Sequence, residues 1–186
     1  NVLKDIIASR LFRTVCLTTI FRQAGESDIV KNAHRINRGE SISLDNKSRD
    51  FFFLPRESAA DIAGVIVALV RDKLPGYVKT TSADIQVLTP MRKGELGVER
   101  LNPILQKYLN PPSPKKREKE YNGMIFREGD RVMQTKNNYD IEWKRDKEAG
   151  AGIFNGDIGK ILMINKHDNE VIIDFDGRIC TYTSDL

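Results

Sequence analysis

The 186-residue sequence is poor in the groups that covalent and metal chemistry need. It has two cysteines, Cys16 and Cys180, and two histidines, His34 and His167. The cysteines stand far apart without C-x-x-C spacing, each inside a strand-like apolar pattern, so they read as buried, reduced thiols and not as a disulfide or zinc pair. Neither histidine has ligand-like neighbours at metal spacing, and no metal site is expected. No serine, cysteine or histidine constellation marks a nucleophile, and no acidic cluster resembles a nuclease metal site. The phosphate loop G-x-x-x-x-G-K-[ST] is missing, because the only Gly-Lys pair, Gly159-Lys160, is followed by Ile161 in a β-like segment. No apolar run approaches the ~20 residues of a membrane span, and the opening "NVLKDIIASRLF" lacks a signal peptide's basic start and cleavage site. A cytoplasmic protein without a membrane partner is expected.

What is present is globular. Hydrophobic residues make up 40% and charged residues 30%, values compatible with a packed core. The length predicts one medium domain plus a small module. The net charge is +4 and the pI about 9.0. Between Met91 and Glu148 there are 14 Lys and Arg against 10 Asp and Glu, so that window carries the whole excess. A mild basic bias in one window is compatible with a polyanionic partner.

Apolar periodicity divides the chain into two classes of structure. Val2 or Leu3, Ile6, Ile7 and Leu11 share one helical face. "RTVCLTTIF" then reads as a strand, and "SDIVKNAHRINRG" as a helix capped by Ser27 and stopped at Gly39. "FFFL" at 51–54 reads as a short buried strand. A long amphipathic helix from Glu57 to Leu74 should end at Pro75-Gly76, a strand should cover 83–90, and a helix 97–109, with Pro103 implying a kink or a late start. Strands alternating with crossover helices predict a parallel, helix-covered α/β sheet up to about residue 110. "NPPSPKKREKEYNG" reads as a linker or exposed loop. Beyond it, "DRVMQTK", "GKILMINK", "NEVIIDF" and "GRICTYT" are short strands separated by turn signals, as in a small antiparallel barrel of the SH3 kind.

Three places carry candidate chemistry. Arg22 and Gln23 close an apolar, β-branched run, and the carboxyl ends of parallel strands are where ligands gather. A guanidinium there suits phosphate, although a solvated surface arginine is the plain alternative. In "VLTPMRKGELG", the Thr89 hydroxyl, Arg92, Lys93 and the first amides of the following helix could meet an anion, or form an ordinary loop. In "QTKNNYD" and "FNGDIG", Asn137, Asn138 and Asn155 offer amides, Tyr139 a stacking face and Lys136 a charge, a set that suits single-stranded nucleic acid. Turn chemistry explains the same asparagines. Trp143, in a charged, Gly-rich loop, could stack on a base, dock a neighbouring domain or close a small barrel. Arginines for phosphate without a loop to hold it imply half of a site whose other half lies elsewhere.

The stretches "NVLKDIIAS", "CLTTIFRQ", "SDIVKNAHRINRGE", "IQVLTPMRKGELGVERLNPILQKYLNPP", "FREGDRVMQTKNNYD" and "IFNGDIGKI" resemble, in order, the C-terminal half of RecD-like superfamily 1 DNA helicases, the exodeoxyribonuclease V alpha chain type. The resemblance implies a partial, RecA-like second motor domain over 1–112, a linker over 113–121, and an SH3-like β module over 122–186. It implies ATP and Mg²⁺ in the full-length protein and none bound by this segment alone, since the phosphate loop and the metal-binding acid would lie on an N-terminal motor domain preceding Asn1, and a final family motif would follow Leu186. Arg22 would reach the γ-phosphate across the interdomain cleft, with Gln23 beside it. Thr89, Arg92, Lys93, Asn137, Asn138 and Asn155 would face single-stranded DNA. Movement would be 5′ to 3′, in DNA recombination or repair. Partners would be single-stranded DNA, the N-terminal motor domain and, left open, nuclease-complex subunits. The rival reading is a non-enzymatic nucleic-acid-binding or protein-interaction module with an SH3-like barrel.

Overall fold

The computed structural model describes residues 2–15 and 27–183. They divide into two compact units, with the boundary between Pro55 and Arg56. In the first unit, helix α1 (Val2–Ser9) keeps the expected amphipathic stripe, yet buries none of its residues. Helix α2 (Asp28–Asn37) starts where Ser27 predicts, but the cap comes from elsewhere. Asp50 accepts from the Asp28 amide at 3.1 Å and also from the Ser27 hydroxyl, so a distant carboxylate satisfies the helix start. Gly39, at φ 73°, ends it as expected.

The second unit begins with α3 (Ala59–Ala68), whose N-cap Ser58 accepts from the Asp61 amide. Pro75-Gly76 does not stop this run. A π-helical turn (Leu69–Lys73) re-phases the hydrogen bonds, α4 (Leu74–Val78) continues through Pro75, and Lys79 in the left-handed region closes it. A proline is tolerated at the first positions of a new helical register, where its missing N–H is not needed. Helix α5 (Val98–Leu109) starts directly after Gly97 and carries Pro103 inside it. Val67, Val70 and Leu101 are the buried apolar residues of these helices.

Among the described residues, every β-strand lies at or after Glu118. Of the strands expected at 51–54 and 83–90, residues 51–54 and 85–90 are irregular backbone and 83–84 lie in a 3-10 turn (Ser82–Asp84); residues 13–15 of the first expected strand are irregular too, and the rest of that strand lies outside the described residues. An apolar, β-branched run becomes a strand only when a neighbour completes its ladder. None does so here, and the parallel sheet is not among the described elements.

The β region is built from eight strands: β1 (Glu118–Tyr121), β2 (Met124–Arg127), β3 (Arg131–Met133), β4 (Asn138–Arg145), β5 (Glu148–Ile153), β6 (Ile158–Asn165), β7 (Glu170–Phe175) and β8 (Arg178–Tyr182). β1 and β2 form a hairpin, and the other six form one antiparallel sheet in the order β3-β6-β7-β8-β4-β5. β3, β6, β7 and β8 are the four strands expected from alternation. The sheet is open between β3 and β5, so the expected barrel is not closed.

Two hairpins replace expected loops. In the charged run 115–120, Glu118–Tyr121 becomes β1 because Asn122 and Gly123 both take positive φ, 49° and 74°, as a two-residue type I′ hairpin requires. The Trp143 segment is β4 and β5, not a loop. Trp143 sits opposite Gly150 on one side and Cys180 on the other, and a Cβ on Gly150 would stand 2.6 Å from its indole. The ring therefore lies flat on the glycine and packs against the core of Ile153, Ile161, Ile164, Val171, Ile173, Phe175, Cys180 and Tyr182. Burial pushes the Cys180 thiol above its ordinary pKa, which holds it neutral.

Candidate nucleic-acid interface

The loop between Thr89 and Gly97 is folded back on the helix it precedes. The Val98 and Glu99 amides donate to the Met91 and Arg92 carbonyls at 3.1 Å each. Those helix-start donors are thus spent on the loop's own backbone and do not form an anion cradle, contrary to the expectation from sequence. The Thr89 hydroxyl donates to the Leu96 carbonyl at 2.8 Å, tying the loop shut. Gly97 is required here, since a Cβ would stand 2.6 Å from the Arg92 carbonyl oxygen. What the loop presents outward is charge. Arg92 is 84% exposed and uses its Nε on Glu99 at 3.1 Å, and Lys93 is exposed beside it.

The second group forms where β4 begins and β5 ends. Asn138 pairs with Ile153, and its Oδ1 accepts from the Asp140 and Ile141 amides at 3.2 Å, beside a bulge in the β4–β5 register. Asn137 accepts from the Asn155 amide at 2.9 Å and donates to the Tyr139 hydroxyl at 3.0 Å. Both side chains are therefore engaged in holding this corner, and the Asn155 side chain is left exposed on the turn. Gly156, at φ 95°, makes that turn. Asp157 fixes it from below: its carboxylate accepts from the Phe154 amide at 3.0 Å and from Arg178 at 3.0 Å. That backbone bond and the guanidinium hold its pKa below the ordinary carboxylate value.

Sequence reasoning missed the outcome of this corner. Tyr139 and Phe154 stand edge to face with centroids 5.6 Å apart, and both are exposed. The missed residue is Phe154, one position before the turn asparagine; its signal was an aromatic at the end of an alternating strand. Next to it, Met133 and Ile158 oppose one another across β3 and β6, with Arg131 and Lys160 the next outward pair. Apolar rings, amides and cations thus share one region, the composition of a single-strand binding surface. Arg22 and Gln23 lie outside the described residues.

A polar joint links α5 to this sheet. Asp130 accepts from Gln106 at 2.6 Å, from Asn110 at 2.7 Å and from the Arg127 amide at 2.7 Å. Arg127, itself buried, donates to Glu118 at 2.5 Å and to the Asn110 carbonyl. The helix that follows the Arg92 loop is therefore hydrogen-bonded to the start of β3, and loop, helix and sheet form one connected scaffold.

Among the described residues no helix is long and apolar enough to cross a membrane, and no group of three or more His, Cys, Asp or Glu is placed to hold a metal ion. Residues 101–175 match the SH3 domain of ATP-dependent RecD-like DNA helicases. The likeness extends beyond the β module. The chain is 35% identical over 170 residues, 91% of its length, to the ATP-dependent RecD2 DNA helicase of Deinococcus radiodurans. It spans 20% of that relative's length. No solved structure matches it significantly.

Proposed function

We propose that this chain is the C-terminal part of an ATP-driven DNA helicase, supplying an arginine to an interdomain ATP site and a surface for single-stranded DNA. The observation that carries the reading is the 35% identity to a RecD2 DNA helicase, which runs over 91% of the chain and so takes in the helical segments that precede the β module. In this reading residues 1–112 belong to the second, RecA-like motor domain, 113–121 join it to the β module, and the module occupies 122–186.

The sequence has no phosphate loop of its own, so ATP and Mg²⁺ would be held by chain outside this segment. Arg22, with Gln23 beside it, would meet the γ-phosphate, where fixed positive charge lowers the barrier to phosphoryl transfer. Arg92 and Lys93 are well suited to phosphates, because the loop beneath them is immobilised by Thr89 and by the α5 amides. Asn137 and Asn138 hold the corner that presents Tyr139, Phe154 and Asn155 to bases. If ATP-driven closure shifts the motor domains, the α5 joint would carry the Arg92 loop and the aromatic corner as one piece. Travel would be 5′ to 3′, and nuclease-complex subunits would be further partners.

The test is the DNA-stimulated ATPase of the full-length protein. Arg22→Ala should lower kcat by roughly 10³-fold with single-strand binding kept, by analogy with arginine fingers. An unchanged kcat would remove Arg22 from the mechanism, and a wild-type protein without DNA-stimulated hydrolysis would remove the helicase reading itself.

A further inference from the structure

At the far end of β6 from the aromatic corner lies an open cleft of about 500 Å³, walled by Pro112 and Pro114 and lined by Lys116, Arg117 and Lys166. A second hollow shares Arg117 and Lys166 and adds Asn165 and His167. Two of these cations, Lys116 and Arg117, are each held by a neutral acceptor. Lys116 donates to the Asn110 side-chain oxygen, and one arm of Arg117 donates to the Ile164 carbonyl at 3.2 Å. The nearby acids are each hydrogen-bonded, and the Glu128 carboxylate also acts on the Arg117 charge. Glu118 accepts from Arg127 at 2.5 Å, Glu128 accepts from the Ile164 and Arg117 amides at 2.9 and 3.0 Å, and Asp168 accepts from Asn165 at 2.5 Å and pairs with His167 at 3.1 Å. An ammonium group and a fork with spare donors, fixed in a concave wall, make a phosphate-binding arrangement.

Position selects the kind of phosphate. β6 runs from the corner at Ile158 to the cleft at Asn165, roughly 25 Å at the usual strand rise. Between the two ends stands Lys160, directly opposite Arg131. Like charges in register across a ladder cost stability; Asp174 faces Lys160 on its other side, and the Asp84 carboxylate acts on Arg131. A polyanion lying along the strand would pass the exposed Lys160 between its two ends. The span also falls within the footprint of single-strand binders, about 4–16 nucleotides.

We propose that the cleft of Lys116, Arg117 and Lys166 binds the phosphodiester backbone of a single strand whose bases stack at Tyr139 and Phe154, about 25 Å away along β6. The proposal rests on the nucleic-acid reading above. Its test uses the full-length protein with a thymidine dinucleotide, too short to reach from the corner to the cleft, and an oligothymidylate of about 16 nucleotides, comparing wild type with Lys166→Glu and Lys166→Gln. Lys166 is exposed in a turn, and unchanged thermal melting would confirm that both variants fold. For the longer strand, Lys166→Glu should lower affinity about tenfold, Lys166→Gln should lower it less, and the slope of log K against log salt should fall by about 1. The shorter strand should bind all three proteins alike.

Equal loss for both lengths would reduce the effect to overall charge, and no loss for the longer strand would empty the cleft; either overturns the proposal. Polyglutamate that binds wild type in a Lys166-dependent way, with oligothymidylate unaffected, would assign the cleft to an acidic polypeptide instead. A wild type that binds neither oligothymidylate would refute the nucleic-acid reading, and the proposal with it.

Discussion

Tyr139, in β4, and Phe154, just after β5, meet edge to face, their planes 69° apart. The Tyr139 hydroxyl is held by Asn137, and Asn137 in turn holds the Asn155 amide. The ring is therefore fixed in direction and still 65% exposed, an arrangement that burial alone does not explain.

A pre-oriented, exposed ring should bind bases without sequence preference. Tyr139→Ala is expected to weaken oligothymidylate binding by about 1–3 kcal/mol, and Tyr139→Phe by much less. Fluorescence anisotropy with a labelled strand measures both. An alanine variant with wild-type affinity would make the Tyr139–Phe154 pair purely structural.

Asp130 has three donors converging on its carboxylate: Gln106 of α5, Asn110 at its C-cap and the backbone of β2. Asp130→Ala would leave Gln106, Asn110 and the Arg127 amide without that acceptor, an expected loss of about 2–3 kcal/mol in denaturant titration. If the joint matters only locally, the variant will show no broadening of the unfolding transition. Separate unfolding of α5 and the sheet would instead give two phases.

Tyr182 supplies a pH signature. Its hydroxyl donates to Gln134 at 2.9 Å, and burial pushes its pKa up from 10.0 to about 12. The unfolded chain therefore loses this proton at lower pH than the folded one. The stabilisation is fully present below pH 10 and is lost as pH rises towards 12, by on the order of 2 kcal/mol. The stability difference between wild type and Tyr182→Phe should shrink across that window in denaturant titrations, and a constant difference would contradict the shift.

Legibility in the sequence followed how local each cause was. α2, α3, α5 and the strands β3, β6, β7 and β8 carry their own periodicity and could be read directly. β1 and β4 could not, because both are charged on faces that stay largely exposed. For β1 the decisive signal, Asn122-Gly123, was on the page but masked by the run Lys115 to Glu120. The helix start at Asp28 depends on Asp50, which no local window reveals. The segments 51–54 and 83–90 have strand-like composition, but strand formation depends on a partner and not on composition. At the candidate site, Asn137, Asn138 and Asn155 were found for their amides, yet the amides of the first two act on the protein itself. What they expose is the aromatic pair, and only the register of β4 on β5 puts Phe154 beside Tyr139.

The strand order also sets an order of assembly. β6, β7 and β8 follow one another as neighbouring hairpins, whereas Trp143 reaches Cys180 only across the whole of β5 to β7. Closing that long loop is the more costly step, so the meander should form early and the β4–β5 hairpin should dock late and be released first. Tyr139 rides on that hairpin, so the aromatic corner is the segment of the module expected to open first, before the meander unfolds.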